Sequence, residues 1–311
     1  MRKINLLVTT GDFSKYISPE FHYLLMEVAK LTNLTVWHES GDIKDILKKV
    51  EVQPDFIFIN EFGESNSPKI TGLSTLEIPF AVNLYDIHYH IKDRKEALHA
   101  DNVKHIFVYY RDKFLEWYPE FAHMMKWLPK HINPAIFKDY KLEKEIDYLL
   151  MGAVHHRVYP IRHKVVQAMK DKPGFVYHEH PGYRNIDDDE ENVFAGEKYA
   201  KEINRSKMFF TCNSRYEYVL TKYLEVPASR TLLLAPSSNE LEDMGFVPGV
   251  HFVEINEDNF QEKAQYYLEN ESERYKISKQ GYLMVHEHHT TKKRAKQFVE
   301  LIQEIITNEQ K

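Results

Sequence analysis

Cysteine, glycine and long apolar runs are scarce in this chain of 311 residues. The single cysteine, Cys212, has no disulfide partner within the chain and stands in an apolar run, so we expect a buried thiol in a reducing compartment. No run of about 18 apolar residues is present, and the apolar stretch after Met1 is too short for a signal peptide. We therefore expect a cytoplasmic protein with no integral membrane segment.

Concentrated positive charge is missing as well. The 41 lysines and arginines are spread along the chain, and 47 acidic residues leave a net charge of −6. Nucleic acids and anionic membrane surfaces are bound by clustered Lys and Arg, which displace counterions. We therefore do not expect nucleic acid as a partner, whereas a small anionic ligand is compatible with this composition.

The composition is that of a globular protein, with 43% apolar and 13% aromatic residues, and the length suffices for two domains. In the first half, short apolar runs bounded by turn residues alternate with amphipathic segments. This alternation is typical of a parallel sheet covered by helices. The strands predicted here are 4–8, 34–37, 55–59, 80–84 and 105–109, with helices over 18–31 and 43–50.

The same rhythm begins again after a polar stretch near residues 140–145. Strands are predicted at 148–151, 174–177, near Met208 and near Leu232, with helices over 161–169 and 197–204 and long amphipathic segments at 258–270, 273–285 and 291–306. We therefore predict an α/β protein with two Rossmann-like domains, 1–138 and 145–290. A C-terminal helix, 291–311, is expected to pack back on the first domain.

Two glutamates, Glu217 and Glu225, lie between the apolar runs 207–212 and 231–235 in a Glu-x7-Glu frame. In open α/β sheets, ligands bind in the crevice beyond the carboxyl ends of the strands. A carboxylate placed there can accept both hydroxyl protons of a ribose or a sugar diol. The frame therefore indicates a nucleotide-sugar site, although two solvated glutamates on the polar face of a short helix would show the same spacing.

The second half resembles a known family in this frame and in several further residues. The segments 147–152 (Asp-Tyr-Leu-Leu-Met-Gly) and 159–162 (Tyr-Pro-Ile-Arg), with the closing segment 249–294, are similar to GT-B glycosyltransferases, in particular to family 4 retaining enzymes and the spore-maturation-type (CgeB-like) glycosyltransferases. The resemblance covers most of residues 145–300 and implies a GT-B fold, in which two Rossmann-like domains face a cleft. At 226–230 the chain departs from the family, because Val-Pro-Ala-Ser-Arg replaces small residues and a glycine.

The resemblance implies roles for residues of the frame. Glu225 is expected to hold the ribose hydroxyls of the donor. Glu217, together with Ser214, Arg215 and Tyr216, is expected to face the transferred sugar or the diphosphate.

A leaving diphosphate also needs positive charge nearby, because negative charge develops on it as the glycosidic bond breaks. Arg157 and Arg162 follow the turn at Gly152, and their spacing matches the basic pair of the family. A helix that begins there would add the positive end of its dipole. Two exposed arginines at the start of a helix are the alternative interpretation.

The first domain offers candidates at two strand ends. Gly11 and Asp12 follow the first predicted strand, where they could lie under the diphosphate or near the acceptor. Asp86 and His88 follow the strand 80–84 at the edge that would face the cleft. There they could contact the sugar or the acceptor as catalytic groups. Loop residues without a role are the alternative for both pairs.

The chain contains 17 histidines, which raises the question of a metal. The segments 178–182 and 286–290 begin like a zinc-protease helix, but Gly182 and Thr290 stand where that motif requires its second histidine. Cysteine clusters are missing, and the resemblance implies enzymes that dispense with a metal-binding carboxylate motif. We therefore expect no metal and no cofactor, the nucleotide sugar being a substrate.

Together these observations predict a glycosyltransferase, of the hexosyltransferase type, that moves a sugar from a nucleotide-sugar donor to an acceptor held mainly by residues 1–138. Retention of the anomeric configuration is implied by the resemblance alone. The acceptor, whether a glycan, a polymer or a small molecule, is left open. The alternatives are a sugar-nucleotide epimerase of the same fold and a non-catalytic ligand-binding or partner-binding protein, which Pro227 and Arg230 favour because they could alter the backbone beside the donor.

Overall fold

The computed structural model describes residues 2–63, 66–187, 190 and 192–309. Contacts divide the chain into two compact units. The first comprises Met1–Ser14, Phe21–Pro129 and Lys292–Lys311, and the second comprises Lys15–Glu20 and Lys130–Thr291. Residues 130–138, which the sequence pattern assigned to the first domain, therefore lie in the second unit. The short segment Lys15–Glu20 lies there too.

The first unit is built on a six-stranded parallel sheet. Its elements before the second unit are β1 (Asn5–Thr9), α1 (Glu20–Leu31), β2 (Asn33–Trp37), β3 (Gly41–Asp42), α2 (Ile43–Leu47), β4 (Phe56–Ile59), β5 (Ile70–Thr71), β6 (Phe80–Leu84), α3 (Ile91–Ala100), β7 (Ile106–Val108), α4 (Arg111–Trp117) and β8 (Met125–Trp127). The strand order is β2-β1-β4-β6-β7-β8, and β3 pairs separately with β5.

The second unit is built on a five-stranded parallel sheet. Its elements are β9 (Ile146–Met151), α5 (Pro160–Met169), β10 (Phe175–His178), α6 (Gly196–Asn204), β11 (Ser206–Phe210), α7 (Lys222–Ala228), β12 (Leu232–Ala235), α8 (Asn239–Asp243), β13 (Val253–Glu254), α9 (Phe260–Glu269) and α10 (Glu271–His288). The last helix, α11 (Thr291–Glu309), follows it in the chain. The strand order is β10-β9-β11-β12-β13.

Burial on both faces explains why the strands are continuous apolar runs. All four residues of β4, Phe-Ile-Phe-Ile, are buried, as expected where helices cover both sides of a parallel sheet. The C-terminal helix supplies part of that cover, because the Phe298 ring lies 4.8 Å from the Phe58 ring and 5.5 Å from the Phe107 ring, measured between centroids. It therefore packs on the sheet of the first unit.

The strand order of the second sheet shows where a ligand would bind. β10 lies on one side of β9, whereas β11 and the later strands lie on the other. The connections from the carboxyl ends of β9 and β11 consequently leave in opposite directions, and a crevice forms at such a switch point. Cys212, just past β11, is buried as expected. In the described part of the chain, no helix is long and apolar enough to cross a membrane.

Candidate active site

Two cationic side chains converge where β9 ends. Gly152, the first residue after β9, has a φ of 130°, and a Cβ atom there would lie 3.3 Å from both Arg162 Nη1 and Lys222 Cε. A side chain at this position would be strained and would crowd both cations. The glycine thus lets the backbone approach the arginine and the lysine closely.

Arg162 spans the switch point. It lies in the first turn of α5, after Pro160, which suits the first position of a helix. Its side chain is only 4% exposed, and its Nη2 donates to Thr211 Oγ1 at 2.9 Å, beyond the end of β11. The guanidinium also stacks on Tyr159, 4.3 Å from the ring centroid.

One hydrogen-bond donor of Arg162 has no acceptor among the described residues. The Arg162 Nε is buried and has no hydrogen-bond partner among the described residues. A buried donor without a partner costs about 1–3 kcal/mol. An anionic ligand in the crevice would supply the missing acceptor.

Glu225 lies one helical turn beyond Lys222 on α7, so both side chains project from the same face. Glu225 is 7% exposed, and its Oε2 accepts a hydrogen bond from Tyr199 Oη at 3.1 Å. The Lys222 Nζ lies 5.5 Å from the centroid of the Tyr199 ring. The carboxylate, the ammonium and the phenol therefore form one cluster, which the buried Arg162 adjoins through Gly152.

Burial alters the charge states in this cluster. The pKa of Glu225 is raised to about 7, chiefly by burial and in part by the negative charge of Glu20, although Lys222, the Tyr199 hydroxyl and Lys130 act in the opposite direction. Burial also lowers the pKa of Lys222, although Glu225 partly offsets this effect. Glu225 is therefore partly protonated at neutral pH, and a ligand that donates hydrogen bonds favours its ionised form.

His180 adjoins the same cations from the segment that follows β10. Its Nδ1 accepts a hydrogen bond from the Gly182 amide at 3.0 Å, which leaves the proton of the neutral ring on Nε2. Burial, together with the charges of Lys222 and Arg162, lowers the pKa of His180 to about 4. The ring is consequently neutral at pH 7 and carries one N–H donor.

The loop after β11 holds two strained residues. Ser214 and Glu217 have φ values of 60° and 54°, a region in which residues with a side chain cost about 1–3 kcal/mol. The Ser214 Oγ accepts a hydrogen bond from the Tyr216 amide at 3.2 Å. The Arg215 amide donates a hydrogen bond to the Val158 carbonyl at 2.8 Å. The loop is thereby tied to the segment that follows β9. Such strain is typical of ligand-binding loops.

The structure brings together some of the predicted residues of this unit and leaves others apart. Arg162 and Glu225 both adjoin Lys222, whereas the side chains of Arg157, Arg215 and Glu217 are exposed. The sequence reasoning missed Lys222, Tyr199, His180 and Glu20. Lys222 alone left a signal, because a cation three residues before Glu225 must share its helix face.

The predicted residues after β1 have structural reasons of their own. At Gly11, a Cβ atom would lie within 2.5 Å of the backbone oxygen of Asn66, so only glycine fits this close chain approach. The exposed Asp12 accepts a hydrogen bond from the Ser14 amide at its Oδ1, at 2.9 Å. That hydrogen bond lowers the pKa of Asp12.

Asp86 and His88 lie in the loop between β6 and α3. The Asp86 carbonyl oxygen accepts hydrogen bonds from Arg94 Nη1 at 2.6 Å and from the Tyr89 amide at 3.2 Å. The His88 ring lies 4.0 Å from the Tyr89 ring, between centroids. Both side chains are half-buried, so the loop has a defined shape while leaving part of each side chain accessible.

Buried polar residues connect the strand ends beneath that loop. The Asn60 Nδ2 donates to Thr10 Oγ1 at 3.0 Å, and the Asn83 Nδ2 donates to Asn60 Oδ1 at 2.8 Å and to the Tyr109 hydroxyl at 3.4 Å. All four residues are at most 5% exposed. A satisfied network of this kind fixes the carboxyl ends of β1, β4, β6 and β7 relative to one another.

Metal ligands are not grouped anywhere in the described residues, where no set of three or more His, Cys, Asp or Glu side chains could hold an ion. The histidines of 178–182 and 286–290 instead have protein partners. His178 Nε2 lies 2.9 Å from Glu202 Oε1, and His286 Nε2 lies 3.1 Å from the Ala228 carbonyl oxygen.

Comparisons with known proteins agree with this architecture. Residues 161–300 match a family model described as glycosyl transferase-like. No curated protein sequence matches the chain significantly.

Several solved structures are similar over nearly the whole chain. HepE (Alr3699) of Anabaena, solved in complex with UDP and glucose, has 10% identity and a TM-score of 0.64, with 97% of this chain and 100% of that chain covered. Sucrose-phosphate synthase of Thermosynechococcus elongatus has 12% identity and a TM-score of 0.68, covering 97% and 99%. A glycosyltransferase of Rickettsia africae has 11% identity and a TM-score of 0.59, covering 99% of each chain.

At such low identities the structural similarity establishes the fold, and the family match, which covers a little under half of the chain, adds the class of activity. The two Rossmann-like units and the helix that packs on the first of them are those expected from the resemblance. The chain is therefore a glycosyltransferase of the GT-B fold.

Proposed function

We propose that the protein transfers a hexose from a nucleoside-diphosphate donor, held by the second unit, to an acceptor held through the first. The observation that carries this proposal is the cluster at the switch point. Two cations, Arg162 and Lys222, adjoin a buried carboxylate, Glu225, across the glycine that ends β9. A diphosphate next to a ribose presents the complementary groups. Because HepE was solved with UDP and with glucose, uridine is the base we favour and a glucose-like hexose is the sugar.

The roles follow from the donors and acceptors that are present. Glu225 accepts hydrogen bonds from the two ribose hydroxyls, as ionised carboxylates do with paired donors. Arg162 and Lys222 hold the diphosphate, with the unpaired Nε of Arg162 as an additional donor. We assign Arg157, whose side chain is exposed, as a further cation for the leaving group.

Catalysis in this scheme comes from positioning and from charge stabilisation. The cations stabilise the departing diphosphate without a metal, and the backbone of Ser214, Arg215 and Tyr216 with Glu217 faces the sugar. In the first unit, Gly11 and Asp12 approach the diphosphate while Asp86 and His88 contact the sugar or the acceptor. Retention of configuration is our proposal from the family resemblance, as is a cytoplasmic location, where nucleotide sugars are at hand.

The departure at residues 226–230 does not favour a binding protein without activity. Arg230, in this segment, adopts a φ of 62°, the left-handed conformation that glycine adopts most readily. Its guanidinium stacks 4.6 Å from the centroid of the Tyr275 ring, which helps to hold that conformation. Pro227 lies in the last turn of α7, close to where the helix ends. We infer from the defined conformation of this segment that the backbone beside Glu225 is compatible with donor binding.

Donor turnover tests the proposal. We expect the protein to bind UDP and to release UDP slowly from UDP-glucose without an acceptor, because transferases commonly leak to water. Arg162→Ala should reduce both UDP binding and UDP release. Lys170→Ala, which removes a positive charge from the other end of α5, should leave binding and release unchanged. Protein that binds neither UDP nor any other nucleoside diphosphate would contradict the proposed donor class.

A further inference from the structure

A hydrogen bond joins the neighbouring helices α6 and α7 beside the donor cluster. The Tyr199 hydroxyl, from the first turn of α6, donates to the Oε2 atom of Glu225 on α7 at 3.1 Å. Where both helices end, the buried Asn204 donates through Nδ2 to the Ser229 carbonyl oxygen at 2.7 Å. The two helices are therefore tied together at two points, one of which is the carboxylate of the cluster.

Ring contacts fix the orientation of the tyrosine. The Phe137 ring meets the Tyr199 ring edge-on, with 6.0 Å between the centroids and 83° between the planes. The Lys222 Nζ lies over the Tyr199 ring, 5.5 Å from its centroid. Burial and the negative charge of Glu225 raise the pKa of Tyr199 well above its usual value. The hydroxyl consequently keeps its proton at neutral pH and remains a hydrogen-bond donor.

The hydrogen bond from Tyr199 restricts the rotation of the Glu225 carboxylate. The terminal torsion of a glutamate side chain is broad, whereas the two hydroxyls of a ribose are donors at fixed positions on one ring. With one lone pair taken by Tyr199, the carboxylate still has acceptor capacity for both hydroxyls. A carboxylate that is already oriented loses less conformational entropy when the nucleotide binds.

We propose that Tyr199 is a positioning residue that orients Glu225 toward the two hydroxyls of a ribose, and that it thereby makes the site selective for ribonucleoside over 2′-deoxyribonucleoside diphosphates. The inference rests on the proposed function of this cluster as the donor site. A ribose meets the oriented carboxylate with two donors. A 2′-deoxyribose brings only one and leaves part of a buried acceptor without a partner. Tyr199 acts through Glu225 and does not touch the nucleotide.

The first test compares UDP with 2′-deoxy-UDP on the native protein by calorimetry. The two ligands share the base and the diphosphate, so their difference reports the 2′-hydroxyl. Loss of one hydrogen bond to a charged acceptor should weaken binding about tenfold or more. Equal affinity for the two ligands would overturn the inference while leaving UDP as the donor nucleotide.

The second test is Tyr199→Phe, which removes the hydroxyl and keeps the ring that contacts Phe137 and Lys222. UDP affinity should fall about three- to tenfold, the scale of ordering one side chain on binding. Affinity for 2′-deoxy-UDP should change little, because a freely rotating carboxylate can still meet a single hydroxyl. Tyr140→Phe, the control, removes a hydroxyl that donates to the Ile136 carbonyl oxygen at 2.6 Å, and it should keep the native ratio of affinities.

This ratio of two affinities, measured on one preparation, does not depend on the fraction of the protein that is active. A Tyr199→Phe variant that loses affinity equally for UDP and 2′-deoxy-UDP would therefore show only a structural role for the hydroxyl. That result would overturn the inference.

A double-mutant cycle shows whether Tyr199 acts through Glu225. In a Glu225→Ala background, Tyr199→Phe should change neither affinity further, since no carboxylate is left to orient. The same fall in UDP affinity with and without Glu225 would overturn this inference alone. Native protein that binds no nucleoside diphosphate would overturn the proposed function and this inference with it.

Discussion

At the residue scale, we expect donor recognition to depend strongly on Glu225. It is buried and already accepts a hydrogen bond from Tyr199, and its second oxygen can take up further donors. If it accepts two ribose hydroxyls, Glu225→Ala should weaken UDP binding by about 2–3 kcal/mol, the scale of two hydrogen bonds to a charged group.

Titration calorimetry of the folded variant measures this loss. Glu262→Ala, an exposed carboxylate on α9, is the control and should bind like the native protein. Unchanged affinity in Glu225→Ala would remove Glu225 from the donor site.

Arg162 should act on the diphosphate and not on the nucleoside. Its guanidinium is anchored at the switch point with a donor to spare, so Arg162→Ala should weaken UDP binding far more than uridine binding. The residual UDP binding should also depend less on salt, since one phosphate contact is lost.

The same UDP and uridine titrations of Arg157→Ala decide whether Arg157, the exposed arginine of the predicted pair, contacts the diphosphate. A selective loss for UDP would assign Arg157 to the diphosphate. Equal losses for UDP and uridine in Arg162→Ala would return both arginines to a structural or surface role.

Glu225 and Arg162 were predicted as donor-site candidates because both match the family pattern and stand at fixed places relative to predicted strands. The sequence pattern could not identify Tyr199 or Glu20. A spacing along one helix shows which side chains share a face, as for Lys222 and Glu225, but it does not show which distant residue fills the space opposite. Gly11 was predicted as a ligand-binding residue, yet the structure shows a packing reason for it. A glycine required by chain packing cannot be distinguished in sequence from one required by a ligand.

At the scale of elements, the end of α7 carries a strain that can be measured. Arg230 has a φ of 62°, which costs a residue with a side chain about 1–2 kcal/mol relative to glycine. Arg230→Ala and Arg230→Gly both lose the stacking on Tyr275, but only glycine is relieved of the strain. Arg230→Gly should therefore be more stable than Arg230→Ala by about 1 kcal/mol.

Urea unfolding of the two variants gives the difference. The comparison cancels the loss of the arginine side chain, which both share. A glycine variant no more stable than the alanine variant would show that Arg230 is not strained in solution.

The predicted elements were those with strong apolar patterns. The runs at β4, β6 and β12 are buried on both faces and were located to within about a residue. Helices α3 and α4 were not predicted, because α3 buries only Arg94 and Leu98 and α4 buries only Phe114. Helices with so small a buried stripe leave little periodicity to detect.

At the scale of the whole molecule, two successive sheets followed from the repeated alternation of short apolar runs and helices. The pairing of residues 15–17 with residues 184–186 could not be predicted, because it joins segments far apart in the chain. Such backbone pairing depends on the folded loops and leaves no periodic pattern in either segment.

The two units should separate in function. If the second unit binds the donor and His88 of the first acts on the sugar or the acceptor, His88→Ala should leave UDP affinity nearly unchanged. Its transfer rate should fall by about 10²-fold, the scale of losing one positioned polar group at a transition state.

Turnover of UDP-glucose, with UDP binding measured in parallel, tests this separation. His123→Ala removes an exposed histidine of the same unit and is the control. Full activity in His88→Ala would exclude His88 from catalysis.

The most direct measurement for the central claim, that the cluster of Arg162, Lys222 and Glu225 binds the nucleoside diphosphate of the donor, is the stability of the native protein with added UDP. At a concentration one hundred times the dissociation constant, UDP should stabilise the fold by about 2.7 kcal/mol. The Arg162→Ala and Glu225→Ala variants should show a much smaller stabilisation at the same concentration, and Lys170→Ala should match the native protein. Equal stabilisation of all four proteins, or of none, would contradict the account.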